Sequence, residues 1–171
     1  SDRILTQQPL VLNAVQVMPP NSPDLEASIL TQVLISQDRA LMTTVAGLLA
    51  PDDFYTVRNR LVYLAMLALH QRGRVIDFPL LKQELANQNT LDDIGGSVYL
   101  SELTAGMFWN PDIRGVCQEL VALTTRRQLI ESASTIAALA YDTTGHVEVQ
   151  HAKALETVRG VRVIQRQSSS L

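Results

Sequence analysis

The fold is decided by residues 112–141, which read DIRGVCQELVALTTRRQLIESASTIAALAY. This stretch contains no proline, and its single glycine, Gly115, lies near the beginning. Because proline and glycine are the residues that most disfavour the interior of a helix, the stretch predicts one long helix. The turn Asp142-Thr143-Thr144-Gly145 follows, and a second helix is predicted beyond it. The two helices together predict an antiparallel helical hairpin.

Two neighbouring sides of the long helix carry residues at core-like spacing. One stripe runs through Leu120, Leu123, Arg127, Ile130, Ser134, Ala137 and Tyr141, and the other through Val121, Leu129, Ala133, Ile136 and Ala140. Since the second helix of the hairpin covers one stripe, the other must pack on the preceding helices or on a second copy of the chain, and we favour the copy. The residues predicted for hairpin packing and oligomerisation are Leu120, Leu123, Ile130, Ala137, Leu155, Val158 and Val161.

Residues 24–105 predict a series of short helices separated by cap and turn signals. Asp24 and Asp77 are predicted to cap two of them, and Asp52-Asp53 to place carboxylates at the free N–H groups of the next helix. Gly95-Gly96 permits a tight turn before another short helix. The predicted fold class is therefore all-α: a compact cluster of about six short helices followed by a long antiparallel helical hairpin.

The same signals divide the chain into four parts. Prolines at 19, 20 and 23 separate an N-terminal segment without helical periodicity from the first helix. The predicted parts are 1–18, an extended or disordered N-terminal arm; 19–109, a globular helical head; 110–165, a helical hairpin for oligomerisation; and 166–171, a tail or the start of a linker.

The composition limits the class of protein. Hydrophobic residues make up 46% of the chain and aromatic residues only 5%, which favours an aliphatic core as in small helical domains. The formal net charge of −3 predicts that any DNA contact is weak or local, or lies elsewhere. The single cysteine, Cys117, excludes an internal disulfide framework and favours a cytoplasmic location. No stretch of about 18 apolar residues occurs, so no membrane contact is predicted.

No residue pattern points to catalysis. The phosphate-binding loop of nucleotide hydrolases needs a glycine followed by lysine, and no glycine here is followed by lysine. His146 and His151 are five residues apart, which spreads them over different directions of a helix. The pairs Asp52-Asp53 and Asp92-Asp93 are interpreted as helix caps, and Cys117 as a packed thiol. We assign no catalytic, cofactor-binding or metal-binding residue.

Two features predict contacts with a partner. The last predicted helix is basic through Lys153, Arg159, Arg162 and Arg166, which suits either a solvated face or contact with an acidic surface or DNA. Phe108 and Trp109 lie beside the start of the hairpin, where they serve as core anchors or, if exposed, as hot spots for a partner. The candidate partner contacts are Trp109, Arg159 and Arg162.

A series of short motifs in one register resembles a known family. The motifs are Pro19-Pro20, Leu25-Glu26-Ala27, Ile29-Leu30, Asp53-Phe54-Tyr55, Arg72-Gly73, Ile76-Asp77, Leu85, Gly95-Gly96, Tyr99-Leu100, Leu103, Arg126-Arg127-Gln128-Leu129-Ile130 and Ala140-Tyr141-Asp142. In order and interval they resemble the N-terminal domain of DnaB-type replicative DNA helicases of bacteria and phages, over about residues 19–145. No single motif is diagnostic, but the series is fairly specific.

The resemblance implies a helical head and a hairpin that pairs domains into dimers, three of which form the collar of a hexameric ring. It implies docking of DnaG-type primase, and in some systems of the helicase loader, on this collar. It also implies that ATP and magnesium act in a separate C-terminal motor that drives the ring along DNA, so no cofactor is expected in this chain.

The sequence departs from the family at Phe108-Trp109-Asn110-Pro111 and over residues 161–171. These departures leave open which partner binds, and whether the chain is a divergent phage or prophage member or was trimmed at the linker. The leading hypothesis is the collar domain of a DnaB-like helicase. The alternatives are a stand-alone, phage-type adaptor or regulator that binds helicase or primase, and a DNA-binding helical module.

Overall fold

The computed structural model describes residues 17–106 and 109–164. This part of the chain contains seven α-helices, one short 3-10 turn and no strand. The helices are α1 (Pro23–Ser36), α2 (Arg39–Leu48), α3 (Val57–Gln71), α4 (Phe78–Asn87), α5 (Gly96–Ala105), α6 (Ile113–Tyr141) and α7 (Val147–Arg159), with the 3-10 turn at Pro51–Asp53 between α2 and α3. The predicted all-α class is confirmed. The tail 166–171 and all but the last two residues of the predicted arm 1–18 lie outside the described residues.

One hydrophobic core joins α1–α5 to the beginning of α6. The five buried hydrophobic residues of α6 lie between its first residue and Val121, and they pack in the same cluster as the buried side chains of α1, α2 and α3. Further along α6 only Thr124 and Ser132 are buried. The head therefore includes the first turns of α6, and the rest of α6 projects from it together with α7.

The helix caps agree with the sequence only in part. Asp77 caps α4 as predicted, with its carboxylate accepting a hydrogen bond from the Leu80 amide at 2.8 Å. The prediction for Asp24 is wrong, because α1 begins at Pro23 and is capped by the hydroxyl of Ser22. The two candidates lie two positions apart, and both residue types are good caps. Pro23 occupies the first helical position, where proline is favoured, and this makes Ser22 the N-cap residue.

The start of α3 is capped by a residue of another helix. The prediction that Asp52-Asp53 would cap this helix is wrong for Asp53, whose buried carboxylate accepts the Ala50 amide instead. The carboxylate at the start of α3 belongs to Glu26 of α1, and it accepts the Tyr55 amide at 2.6 Å and the Thr56 amide at 3.3 Å. The negative charge also suits the positive end of the α3 dipole.

Cys117 packs inside the head, as predicted. Its side chain is fully buried, and this burial raises the pKa of the thiol from its usual 9.0 to about 12. Since the thiolate is the reactive form, the cysteine is inert at neutral pH.

Candidate functional site

The hairpin of α6 and α7 leaves much of its own apolar surface uncovered. No residue of α7 is buried, although α7 packs along α6. Large apolar side chains are exposed on both helices, and we call them the exposed hairpin residues: Leu129, Ile130, Tyr141, Val147, Val149, Leu155 and Val158. A helix of 13 residues is marginal in water without tertiary packing. The hairpin therefore carries uncovered apolar side chains on both of its helices.

The residues predicted for the oligomer interface divide between the head and the hairpin. Leu120 is fully buried in the head core, and Leu123 is partly buried against that core. Neither therefore forms part of the uncovered hairpin surface. The other five lie on the hairpin or at its end: Ile130, Leu155 and Val158 are exposed, and Ala137 and Val161 are partly buried. One continuous stripe runs from head to hairpin, so helical periodicity alone could not show where the head ends.

Helix α7 contains fewer basic residues than the sequence predicted for the last helix. Helix α7 ends at Arg159, so Arg162 lies beyond the helix, and Arg166 lies outside the described residues. Arg159 is exposed, 3.9 Å from Glu156 one turn earlier, and remains open to a partner. Arg162 turns back to the head instead, where it contacts groups of the same chain.

Asp53 lies at the base of the hairpin, where it binds groups from three segments of the chain. Its fully buried carboxylate accepts hydrogen bonds from the Ala50 amide at 2.7 Å and from the Thr124 hydroxyl at 2.7 Å, and it pairs with the Arg162 guanidinium at 2.5 Å. These three donors come from the residue before the 3-10 turn, from α6 and from the segment after α7. A buried carboxylate needs such partners to offset its lost hydration.

Arg127 ties a second set of segments to α6. Its guanidinium donates to the Pro20 carbonyl at 2.8 Å and to the Asp52 carbonyl at 3.3 Å, and it lies over the Tyr55 ring at 5.3 Å. Partial burial lowers the pKa of Arg127, but an arginine keeps its charge in proteins. Arg127 was placed by sequence on the hairpin stripe, whereas the structure shows that it anchors the hairpin to the head.

Trp109 is exposed on a backbone that is held in place. Its relative exposure is 68%. The adjacent Asn110 is bound twice by the Gln32 side chain, which donates to the Asn110 carbonyl at 2.9 Å and accepts the Asn110 amide at 3.2 Å. Of the two roles considered for Trp109, exposure favours the partner contact. Phe108 lies outside the described residues.

Sequence reasoning missed the buried polar residues Glu26 and Asp53. Glu26 sits one turn before Ile29 and Leu30, on the stripe that faces the core, and is itself fully buried. A carboxylate on an apolar stripe is the signal that could have revealed it, because a buried charge must find donors. Asp53 had no such signal, since its partners come from distant parts of the chain.

The described ranges 17–106 and 109–164 contain neither a candidate metal site nor a candidate membrane span. No group of three or more His, Cys, Asp or Glu residues that could hold a metal ion occurs there. No helix in these ranges is long and apolar enough to cross a membrane.

The fold defines an all-helical domain in which a globular head carries a projecting helical hairpin. Residues 18–122 match the model of the DnaB-like helicase N terminal domain, and the chain belongs to this family. The matched region ends on α6 close to Thr124, near the end of the head core. The family suggested by the sequence motifs is thereby confirmed.

Similar proteins agree with this assignment. The replicative DNA helicase DnaC of Bacillus subtilis (strain 168) is 29% identical over 153 residues, which are 90% of this chain and 33% of that protein. The replicative DNA helicase DnaB of Geobacillus stearothermophilus is 30% identical over 132 residues, 77% of this chain and 29% of that protein. The chain thus spans about a third of the length of these relatives.

A solved structure supports the fold. The N-terminal domain of DnaB helicase from Mycobacterium tuberculosis superposes with a TM-score of 0.76 at 25% identity, covering 84% of this chain and 100% of that one.

Proposed function

We propose that this chain acts as the collar-forming N-terminal part of a replicative DNA helicase, by self-association through its hairpin. The observation that carries the proposal is the group of exposed hairpin residues. Scattered apolar side chains on a surface are ordinary, but the presence of seven large ones on one two-helix projection supports an interface there. Because α7 has no buried residue, association would also supply the packing that this helix lacks.

A second copy of the chain suits this surface. Two copies related by a two-fold axis bring the same residues together, so one apolar group serves both sides of the interface. Three such dimers form the collar that the family resemblance implies. In this arrangement the hydrolysis of ATP with magnesium, and movement along DNA, belong to a separate motor, and this chain contacts DNA weakly or only through that motor.

The solution mass across a concentration series, measured by light scattering, tests this proposal. The chain has a mass of 18.9 kDa, and we expect a dimer or a hexamer. A strict monomer at every concentration would contradict self-association and would favour the stand-alone adaptor that binds helicase or primase.

Docking of a replication partner is the second part of the proposal. DnaG-type primase, and in some systems a helicase loader, are the partners that the family resemblance implies. The exposed Trp109 on its fixed backbone, with the exposed Arg159, supports such docking, since tryptophan and arginine are enriched among residues that dominate binding.

Trp109 offers a direct readout, because it is the only tryptophan in the chain. We expect its fluorescence in the isolated domain to be red-shifted and fully accessible to acrylamide, and to shift to the blue when purified primase is added. Trp109→Ala should weaken primase binding without changing the melting temperature. A blue-shifted, shielded tryptophan in the isolated monomer would show that the side chain is a core anchor instead.

A further inference from the structure

The segment of residues 161–164 returns from the end of α7 to the head. Its main chain is fastened to α6 at Arg162, whose amide donates to Gln128 Oε1 at 2.8 Å and whose carbonyl accepts the Thr125 hydroxyl at 2.5 Å. Ile164 packs against the head core, whereas Val163 is 66% exposed. The segment is therefore attached chiefly through polar contacts of one residue.

The guanidinium group of Arg162 binds two acceptors, a carboxylate and a main-chain carbonyl. One is the buried carboxylate of Asp53, and the other is the carbonyl of Leu48, which accepts from the guanidinium at 2.7 Å. Leu48 is the last residue of α2, so this carbonyl lies at the negative end of the helix dipole. A planar cation with several N–H donors can bond both acceptors at once, whereas an ammonium group matches them less well.

We propose that Asp53, the Leu48 carbonyl, Thr125 and Gln128 form a binding site for an arginine carried by a segment without regular secondary structure. Arg162 fills this guanidinium site in cis, and the site acts as a latch that fastens the chain leaving the hairpin to the head. Its ligand class is a guanidinium group on a non-helical segment.

The latch can open while the head stays folded. When Arg162 leaves, Asp53 keeps the Ala50 amide and the Thr124 hydroxyl as donors, so its carboxylate is not stranded. The Arg162 side chain is 36% exposed even when bound. Since α7 has no buried residue, release of Arg162 frees the end of the hairpin. The latch therefore couples the position of residues 161–164, which follow the hairpin, to the position of α7.

Hydrogen exchange of the full chain tests the latch. Arg162→Ala removes the two side-chain bonds, to Asp53 and to the Leu48 carbonyl, and keeps the main-chain bonds of residue 162. We expect the amides of 147–164 to exchange about tenfold faster or more, while those of α1–α5 keep their protection. Gln128→Ala, which removes only the acceptor for the Arg162 amide, should raise exchange in 161–164 with the head unchanged. Arg159→Ala is the matched control, since it removes an exposed arginine three residues earlier.

Chemical rescue tests the ligand class. Millimolar guanidinium chloride should raise the melting temperature of Arg162→Ala, and it should not raise that of Arg159→Ala or of the unaltered chain. Arg162→Lys should restore the exchange protection only in part. The proposal is overturned if exchange of 147–164 is unchanged in Arg162→Ala, if guanidinium stabilises all three proteins alike, or if Arg162→Ala unfolds the whole head.

Discussion

Replacing Glu26 with alanine is expected to lower the free energy of unfolding of the head by about 3–5 kcal/mol. The Glu26 carboxylate is fully buried and accepts the Tyr55 and Thr56 amides at the start of α3, and the Asn59 side chain at 2.8 Å. Thr56 makes no capping bond with its own side chain, so α3 has no side-chain cap from its own N-cap residue. Alanine would leave the buried Asn59 amide and the partly buried Tyr55 and Thr56 amides without this acceptor, and it would leave a cavity in place of the carboxylate.

The loss of stability should extend to the other members of a buried hydrogen-bond network. Asn59 also accepts the hydroxyl of Tyr99 on α5, so Glu26 links three helices through one polar network. Partly satisfied networks of this kind cost more than their separate bonds suggest. We therefore expect α1, α3 and α5 to loosen together in Glu26→Ala.

Urea unfolding followed by circular dichroism measures this effect, and two variants make it specific. Glu26→Gln keeps the volume and one acceptor oxygen, so its loss should be intermediate. Asp24→Ala removes an exposed carboxylate two residues earlier on the same helix, and it should stay within about 0.5 kcal/mol of the unaltered chain. If Glu26→Ala were as mild as Asp24→Ala, the assignment of Glu26 as the cap of α3 would be wrong.

The second large effect is expected at Ile130, where glutamate should abolish self-association. Ile130 lies on α6 beyond the head core and is 42% exposed, so the folded head does not depend on it. In a two-fold dimer the change occurs twice, and each carboxylate is buried without a partner. We expect the dissociation constant to rise about 100-fold or more, which corresponds to about 2.7 kcal/mol.

Light scattering and thermal melting separate this effect from unfolding. Ile130→Glu should be a monomer at concentrations where the unaltered chain assembles, with a helical circular dichroism spectrum and a cooperative melt. Val98→Glu is the matched control, because Val98 is an exposed aliphatic residue of α5 on the head, and this variant should assemble normally. An Ile130→Glu protein that keeps its oligomer would show that the interface lies elsewhere.

Local signals explain why much of the architecture was predictable. The proline-free run of residues 112–141 became α6 almost to the residue, and Asp77 and Gly95 mark the beginnings of α4 and α5 as expected. Such caps and breakers act through the backbone within about four residues, so they can be read without the tertiary structure. The family motifs were readable for a similar reason, since each couples a cap or turn to a neighbouring anchor.

Residue roles on the long helix were less predictable. The stripe that holds Leu120 and Ile130 is continuous, yet Leu120 is a core residue of the head and Ile130 is exposed. Arg162 was expected to face a partner from the last helix, and Gly160 ends that helix before it. Periodicity identifies the side of a helix that is apolar, but it does not identify what covers that side.

The sequence alone determined the helical class, the order of the short helices, the hairpin and the family. The tertiary structure decided where the head ends on α6, that Glu26 caps a helix beginning about 30 positions away, and that Asp53 pairs with an arginine 109 positions away. The physical reason is that caps and periodicity are local, whereas a buried charge is stabilised by whichever donors the packing of distant helices brings within hydrogen-bond distance.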